Sequence, residues 1–466
     1  MPSLRVTHGG VGVDALLIHG GTLVCMDAAG TVERGDLLVV GDRIAARGAG
    51  VPDAVAALPP ATRLDRFEAK GCLVLPGFVH GHMHLCQTLF RGQAEQSDLL
   101  RWLRESIWPL EHAHDEASMA ASVRLGVCEL IAGGVTCVND MGTVRHTDVV
   151  GEVLQATGMR ALFGPALMDA GEGVPAGMLK PAGPALEEVV RLAKRFDHAG
   201  GGRLRVSLAP RFILSCSEAL WSDVAALSRE RGMLIHTHIA ESATEGAAVK
   251  GEKGLHATPY FHAHGVLSER FVGAHGVWLD DDEMAMLKGA DAALVHCPGS
   301  NLKLGSGLAD VAAWKRHGIR CGLGADGGAC NNRLDTFAEM GLAGGIARLK
   351  HRDAPLPARD IVALATCDGA RALGLGDRIG SLEIGKQADI VCVDIDTPRC
   401  APFGTRDPYA TLVHGANSSD VTLTMVAGQV LYDWGDWKTL DPLAVVADAH
   451  VQAAALQGRI GAGGRA

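Results

Sequence analysis

The sequence predicts an α/β protein: a closed (β/α)8 barrel with a small β-sandwich domain assembled from both chain ends. Three observations carry this reading. Between about residues 72 and 330, short apolar runs rich in β-branched residues alternate with longer segments of helical period, each run ends in a polar cluster, and the flanks break into short strands separated by glycine turns. Such alternation implies parallel strands, and eight strand–helix units in about 250 residues are what a closed barrel needs; an open doubly wound sheet is the rival arrangement.

At the N-terminal end, DALLIHGGTLVCMDAAGTVERGDLLVVGDRIAARG (14–48) is hairpin-like, with turns expected at Gly20-Gly21, Ala28-Ala29-Gly30 and Gly41-Asp42. The eight runs follow: 73–84, 135–140, 160–168, 203–210, 233–241, 271–279, 292–301 and 319–328. Together they are the strand set of a TIM barrel. Residues 357–374 read as helical, whereas SLEIGKQADIVCVDI (381–395) and DVTLTMVAGQVLYDWGDW (420–437) return to short strands. The domain plan is 1–71 and 381–440 as the two parts of the β-sandwich domain, 72–380 as the barrel, and 441–466 as an alanine-rich helix whose GAGGRA end should fray.

Composition narrows the function classes. Hydrophobic residues make up 47% of the 466 and charged ones 21%, so a large core forms and wholesale disorder is excluded. The net charge of −10 and an aromatic content of 4% argue against a partner that is a nucleic acid polymer. No apolar stretch approaches 18 residues and MPSLRVTHGG lacks a leader pattern, which predicts a cytoplasmic protein with no membrane contact. Twelve cysteines without a CxxC pair read as reduced thiols that pack as small hydrophobes.

In such a barrel, chemistry sits at the carboxyl ends of the strands. The first run ends in His82-Met83-His84, and residues two apart on a strand share a side, so both imidazoles can converge on one ion. The fifth run ends HTHIAE and the eighth ends in GADG. His238 lies nearer its strand end than His236 and three residues before Glu241, which favours it as the fifth-strand donor and leaves His236 to hold or pack. His82, His84, His238 and Asp326 then form a mixed N/O shell for one divalent transition metal, Zn²⁺ first and Fe²⁺ second, and not for Mg²⁺ or Ca²⁺. His275 on the sixth run falls between the later ligand strands and is a candidate for the same site, whereas His296 and Asn301 read as structural. Gly322, Gly324 and Gly327 match a dinucleotide fingerprint by letter but open no βαβ unit. HExxH, GxSxG and Walker patterns are absent, and His114-Asp115-Glu116 has no PCxxC companion.

The segments PGFVHGHMHLCQTLFRG, HTHIAE, AHGVWL, HCPGSNLKLGSG and GADGGACNN together resemble the amidohydrolase superfamily, in its branch of mononuclear-metal deaminases and chlorohydrolases of nitrogen heterocycles. The resemblance implies His82, His84, His238 and Asp326 as ligands, Glu241 as the proton-shuttling acid and His275 as the residue that orients the attacking water. Binuclear members carry a lysine at the end of the fourth strand, where APRFILSCS has Arg211, so one metal is expected. HLCQTLFRGQ, the IWPLE stretch, MDAGEGVP and APRFILSCSE look most like deaminases of 5′-deoxyadenosine and other 5′-modified adenosines. By that likeness Glu111 holds ribose hydroxyls, while the PRF element, shared with guanine deaminases, places Arg211 against the purine. Deaminases of S-adenosylhomocysteine and methylthioadenosine typically have a histidine there. The expected substrate is a small nitrogen heterocycle or nucleoside, with guanine deamination and s-triazine hydrolysis as neighbouring readings and a non-catalytic ligand-binding barrel as a remote one. Any self-association is expected to be two-fold.

Overall fold

The computed structural model describes residues 15–94, 98–402 and 407–463. Eight parallel strands form the barrel, in chain order Phe78–His84, Val135–Met141, Arg160–Gly164, Leu204–Val206, Ile235–Ile239, Phe271–His275, Ala293–His296 and Arg320–Leu323. Neighbours pair in sequence around the wall, and the eighth strand returns beside the first. Between the fourth and fifth, the ring closes by a bridge of Leu208 to Ile235, in which Leu208 N–H donates to Leu234 O at 2.9 Å and His236 N–H to Leu208 O at 2.8 Å. This is the (β/α)8 TIM barrel. Its strands are buried along nearly their whole length, as parallel strands covered by helices must be.

Both chain ends meet in one nine-stranded sheet, where Ala15–Val24, Val32–Val40 and Arg43–Arg47 run antiparallel and Ile390–Asp394, Val421–Val426 and Gln429–Asp433 join from the C-terminal side. The sheet encloses an apolar core of its own, built from Leu16, Ile18, Leu37, Phe67, Val74, Ile390 and Leu423 among others. Cys72–Pro76 sits at the centre of this sheet, between Ile390–Asp394 and Ala15–Val24, so the run 73–84 is divided at Gly77 between the two folding units. The turn expected at Gly20-Gly21 is instead a bulge within Ala15–Val24: pairing shifts register between Ile18 and Gly21, and Gly20 has φ +77°, which a residue without Cβ adopts at little cost. Arg160, opening the third barrel strand, makes a bidentate pair with Asp389 at 2.7 and 2.8 Å that ties the lower end of the barrel to the sheet.

Two helical elements frame the upper end. Leu99–His112 is one continuous helical stretch whose middle, Leu103–Ile107, widens into a π-turn. The widening directly precedes Pro109, which has no N–H to offer the Glu105 carbonyl. The helix Pro442–Gly463 packs on Glu116–Ala132, with Arg459 bonded to Asp115 and to the Ala113 carbonyl. Among the described residues no helix is long and apolar enough to cross a membrane.

Candidate metal centre and active site

His82 and His84 leave the end of the first barrel strand toward the barrel axis, both almost fully buried. They meet His238 from the fifth strand and Asp326 from just beyond the eighth. His82 Nε2 lies 3.3 Å and His84 Nε2 3.5 Å from Asp326 Oδ1, and the Nε2 atoms of His84 and His238 stand 3.2 Å apart. Donors sharing a tetrahedral ion at about 2.1 Å are separated by about 3.4 Å, so the spacing suits a single ion.

The hydrogen bonds decide which nitrogen faces inward. His84 Nδ1 donates to the Met141 carbonyl at 2.8 Å, and His238 Nδ1 to the Arg211 carbonyl at 2.7 Å. Each ring therefore presents a bare Nε2 lone pair to the other, and two lone pairs at 3.2 Å repel unless a cation lies between them. His82 Nε2 is likewise buried without a hydrogen-bond partner, while its Nδ1 meets His236 Nε2 at 2.8 Å. His236 thus orients His82. Burial pushes all three inward-facing rings below the usual histidine range, to about 3 for His84, which keeps them neutral and able to coordinate.

Two further groups reach the same point. His275, at the end of the sixth strand, places Nε2 at 3.8 Å from Asp326 Oδ2 and 3.5 Å from Glu241 Oε2. Its Nδ1 donates to Asn301 Oδ1 at 2.9 Å, so the residue read from sequence as structural holds His275 in place. His275 and Asp326 both adopt positive φ, +79° and +62°, a strain that functional sites tolerate when the surrounding structure fixes it. Burial drives the Glu241 carboxyl well above its ordinary value, with the Asp326 and Glu245 charges adding to the rise. Asp326 goes the opposite way: burial alone would raise it, but its interactions with His82, His84 and His275 hold it well below the usual range. Two carboxyl groups in one cavity are thereby pushed in opposite directions.

The cavity above these groups is walled by Leu99, Trp102 and Leu103 from the π-turned helix, by Phe212 and Leu304, and by the polar Gln87, Arg211 and Glu245. Arg211 lines it while making a buried bidentate pair with Glu111 at 2.7 and 3.0 Å. Gln87 Nε2 donates to the same carboxylate at 2.9 Å. Glu111 thus accepts three hydrogen bonds from these two neighbours and is not among the residues that line the cavity. Gln87, Glu245, Asn301 and the apolar wall were not legible as site residues in the sequence. His296 is buried behind the rim with neither ring nitrogen bonded among the described residues, pushed to about 3, and packs at the edge of Trp314.

Barrel, rim and donor set define a metal-dependent hydrolase. The chain matches the amidohydrolase family over residues 73–431 and belongs to it. It is 34% identical over 446 residues to a 5′-deoxyadenosine deaminase of Methanothermobacter thermautotrophicus, covering 96% of this chain and 99% of that one. A 5-methylthioadenosine/S-adenosylhomocysteine deaminase of Natronomonas pharaonis is also 34% identical, over 461 residues, with 98% and 99% covered. Among solved structures, an adenosine deaminase from Xanthomonas campestris with bound zinc superposes with a TM-score of 0.88 at 30% identity, covering 95% of this chain and 98% of that one.

Proposed function

We propose that this enzyme is a deaminase that releases ammonia from the purine ring of an adenosine-type nucleoside, of the 5′-deoxyadenosine, 5′-methylthioadenosine or S-adenosylhomocysteine class. The observation that carries the reading is the facing pair of bare imidazole lone pairs beside a buried Glu241 whose carboxyl is pushed well above its ordinary value. The names of the near relatives give the ring. His82, His84, His238 and Asp326 would hold the ion, with zinc favoured by the zinc-bound structural neighbour and Fe²⁺ suiting the same donors. Once bound, such an ion supplies Lewis acidity that lowers the pKa of water from 15.7 to about 7.

The chain's own groups do the rest. Asp326 accepts a proton from the attacking water, which His275, steadied by Asn301, aligns toward C6 through Nε2. Glu241, whose carboxyl burial pushes well above its ordinary value, gives its proton to ring N1 as the C–O bond forms, so that charge does not build up on the ring. The proton held by Asp326 then passes to the amine, the C6–N bond breaks and ammonia leaves, and the proton of the remaining C6 hydroxyl returns to Glu241 as the carbonyl forms, so that both carboxyl groups regain their starting states. Arg211 and Gln87 present their polar edges to the substrate, with Glu111 holding both.

The test is ammonia release by the zinc-loaded protein over 5′-deoxyadenosine, 5′-methylthioadenosine, S-adenosylhomocysteine, adenosine, guanine and a chlorotriazine. Turnover on one of the adenosine compounds at a kcat/KM at least about tenfold above guanine and the triazine is expected. Preference for guanine would replace this reading with the one that the Arg211 element also fits.

A further inference from the structure

Glu339 lies in the helix Thr336–Lys350, which follows the eighth barrel strand, and it is 1% exposed. No step of the chemistry above uses it. Its Oε2 accepts the Gly299 N–H at 2.9 Å and its Oε1 accepts the side-chain amide of Asn331 at 2.8 Å. Gly299 belongs to the short helix Pro298–Lys303, which also carries Asn301, the partner of His275. The Asn331 amide donates its second hydrogen to the carbonyl of Ala325, the residue before Asp326, at 2.8 Å. One carboxylate therefore fastens the loop that holds His275 to the loop that carries Asp326.

The fit leaves little slack. A Cβ at position 299 would come within 2.4 Å of Glu339 Oε1, so glycine is required there for the carboxylate to approach the main chain. Both neighbours are donors, which calls for an acceptor at each oxygen. Burial pushes the carboxyl up to about 7, and the two donated hydrogen bonds act against that rise.

We infer that Glu339 is a positioning residue that sets the 3.8 Å spacing of His275 Nε2 and Asp326 Oδ2, the two groups that act on the attacking water. The inference rests on the roles given to His275 and Asp326 under the proposed function. Glu339→Gln keeps the shape but turns a donor toward one of the two donors. The variant should keep one zinc per chain and a KM within about threefold of the parent, while kcat falls about 10- to 100-fold. In an Asn301→Ala background the link to His275 is already cut, and the same substitution should then cost less than about threefold. A kcat within threefold of the parent, a loss that repeats in full in the Asn301→Ala background, or zinc lost in step with kcat would each overturn the inference. Crystal structures of the zinc-loaded parent and variant read the spacing without turnover: widening by about 0.5 Å or more supports the inference, and an unchanged spacing sinks it even if the parent proves inactive on every substrate above. If Glu339→Gln does not fold, Asn331→Ser cuts the Ala325 side of the link from a half-buried position, and the same measurements decide.

Discussion

Two fully buried arginine–carboxylate pairs sit at opposite ends of this barrel. Arg160–Asp389 and Arg211–Glu111 are both bidentate, with distances between 2.7 and 3.0 Å, and both are sealed from solvent. They differ in what lies beside them. Asp389 also accepts the Ala427 N–H, so the lower pair is closed off by main chain of the end sheet. The upper pair shares its carboxylate with Gln87 and turns the arginine to a cavity. The same bond thus joins two folding units in one place and stiffens a binding surface in the other, and neither role can be read from the bond alone.

The largest expected effect belongs to the upper end only. Removing the ion with a chelator, or replacing Asp326 by Asn, should lower kcat at least about 10³-fold; restored activity on adding zinc back to the chelated parent checks the first case. Next comes Glu241→Gln, expected to cost about 10²- to 10⁴-fold in kcat. If Glu241 acts in its protonated form, with a pKa that burial raises above the ordinary value, the parent's kcat should fall as pH rises through that raised value, a limb the variant should lack. A variant that keeps the limb would reassign the acid.

Smaller effects distinguish the two pairs directly. Asp389→Ala strands Arg160 in a dry site, costing about 3–5 kcal/mol and about 3–5 °C in thermal midpoint, with kcat per zinc-loaded chain within about threefold of the parent. Glu111→Gln should do the reverse, with the midpoint falling by no more than about half as much and kcat/KM by about 10- to 100-fold as Arg211 loses its fixed orientation. Equal stability losses with no activity loss at Glu111 would erase the contrast.

The ring of donors was legible because its signal is local. Two histidines two apart at a strand end, a third before an acid, and an aspartate after a short apolar run each show in a few residues. Glu111 and Arg211 are 100 residues apart, and nothing in either segment announces a partner. Asn301 escaped for the same reason, since its bond to His275 spans neighbouring loops. The strand Cys72–Pro76 was hidden because two buried strands joined by Gly77 alone read as one apolar run without periodicity. Gly20-Gly21 shows that a glycine pair marks unusual backbone but does not say whether the chain reverses or only bulges.

The ring closes by a single bridge, Leu208 to Ile235, whereas the fifth and sixth strands pair along five residues. Directly above that thin seam, the Arg211 carbonyl takes bonds from the His238 main-chain N–H, the His238 ring and the Thr237 hydroxyl. Breathing of the staves is expected to be easiest there, and it would move His238 and Arg211 together. Deuterium should enter the amides of Leu208 and His236 sooner than those of Val272 and Gly273.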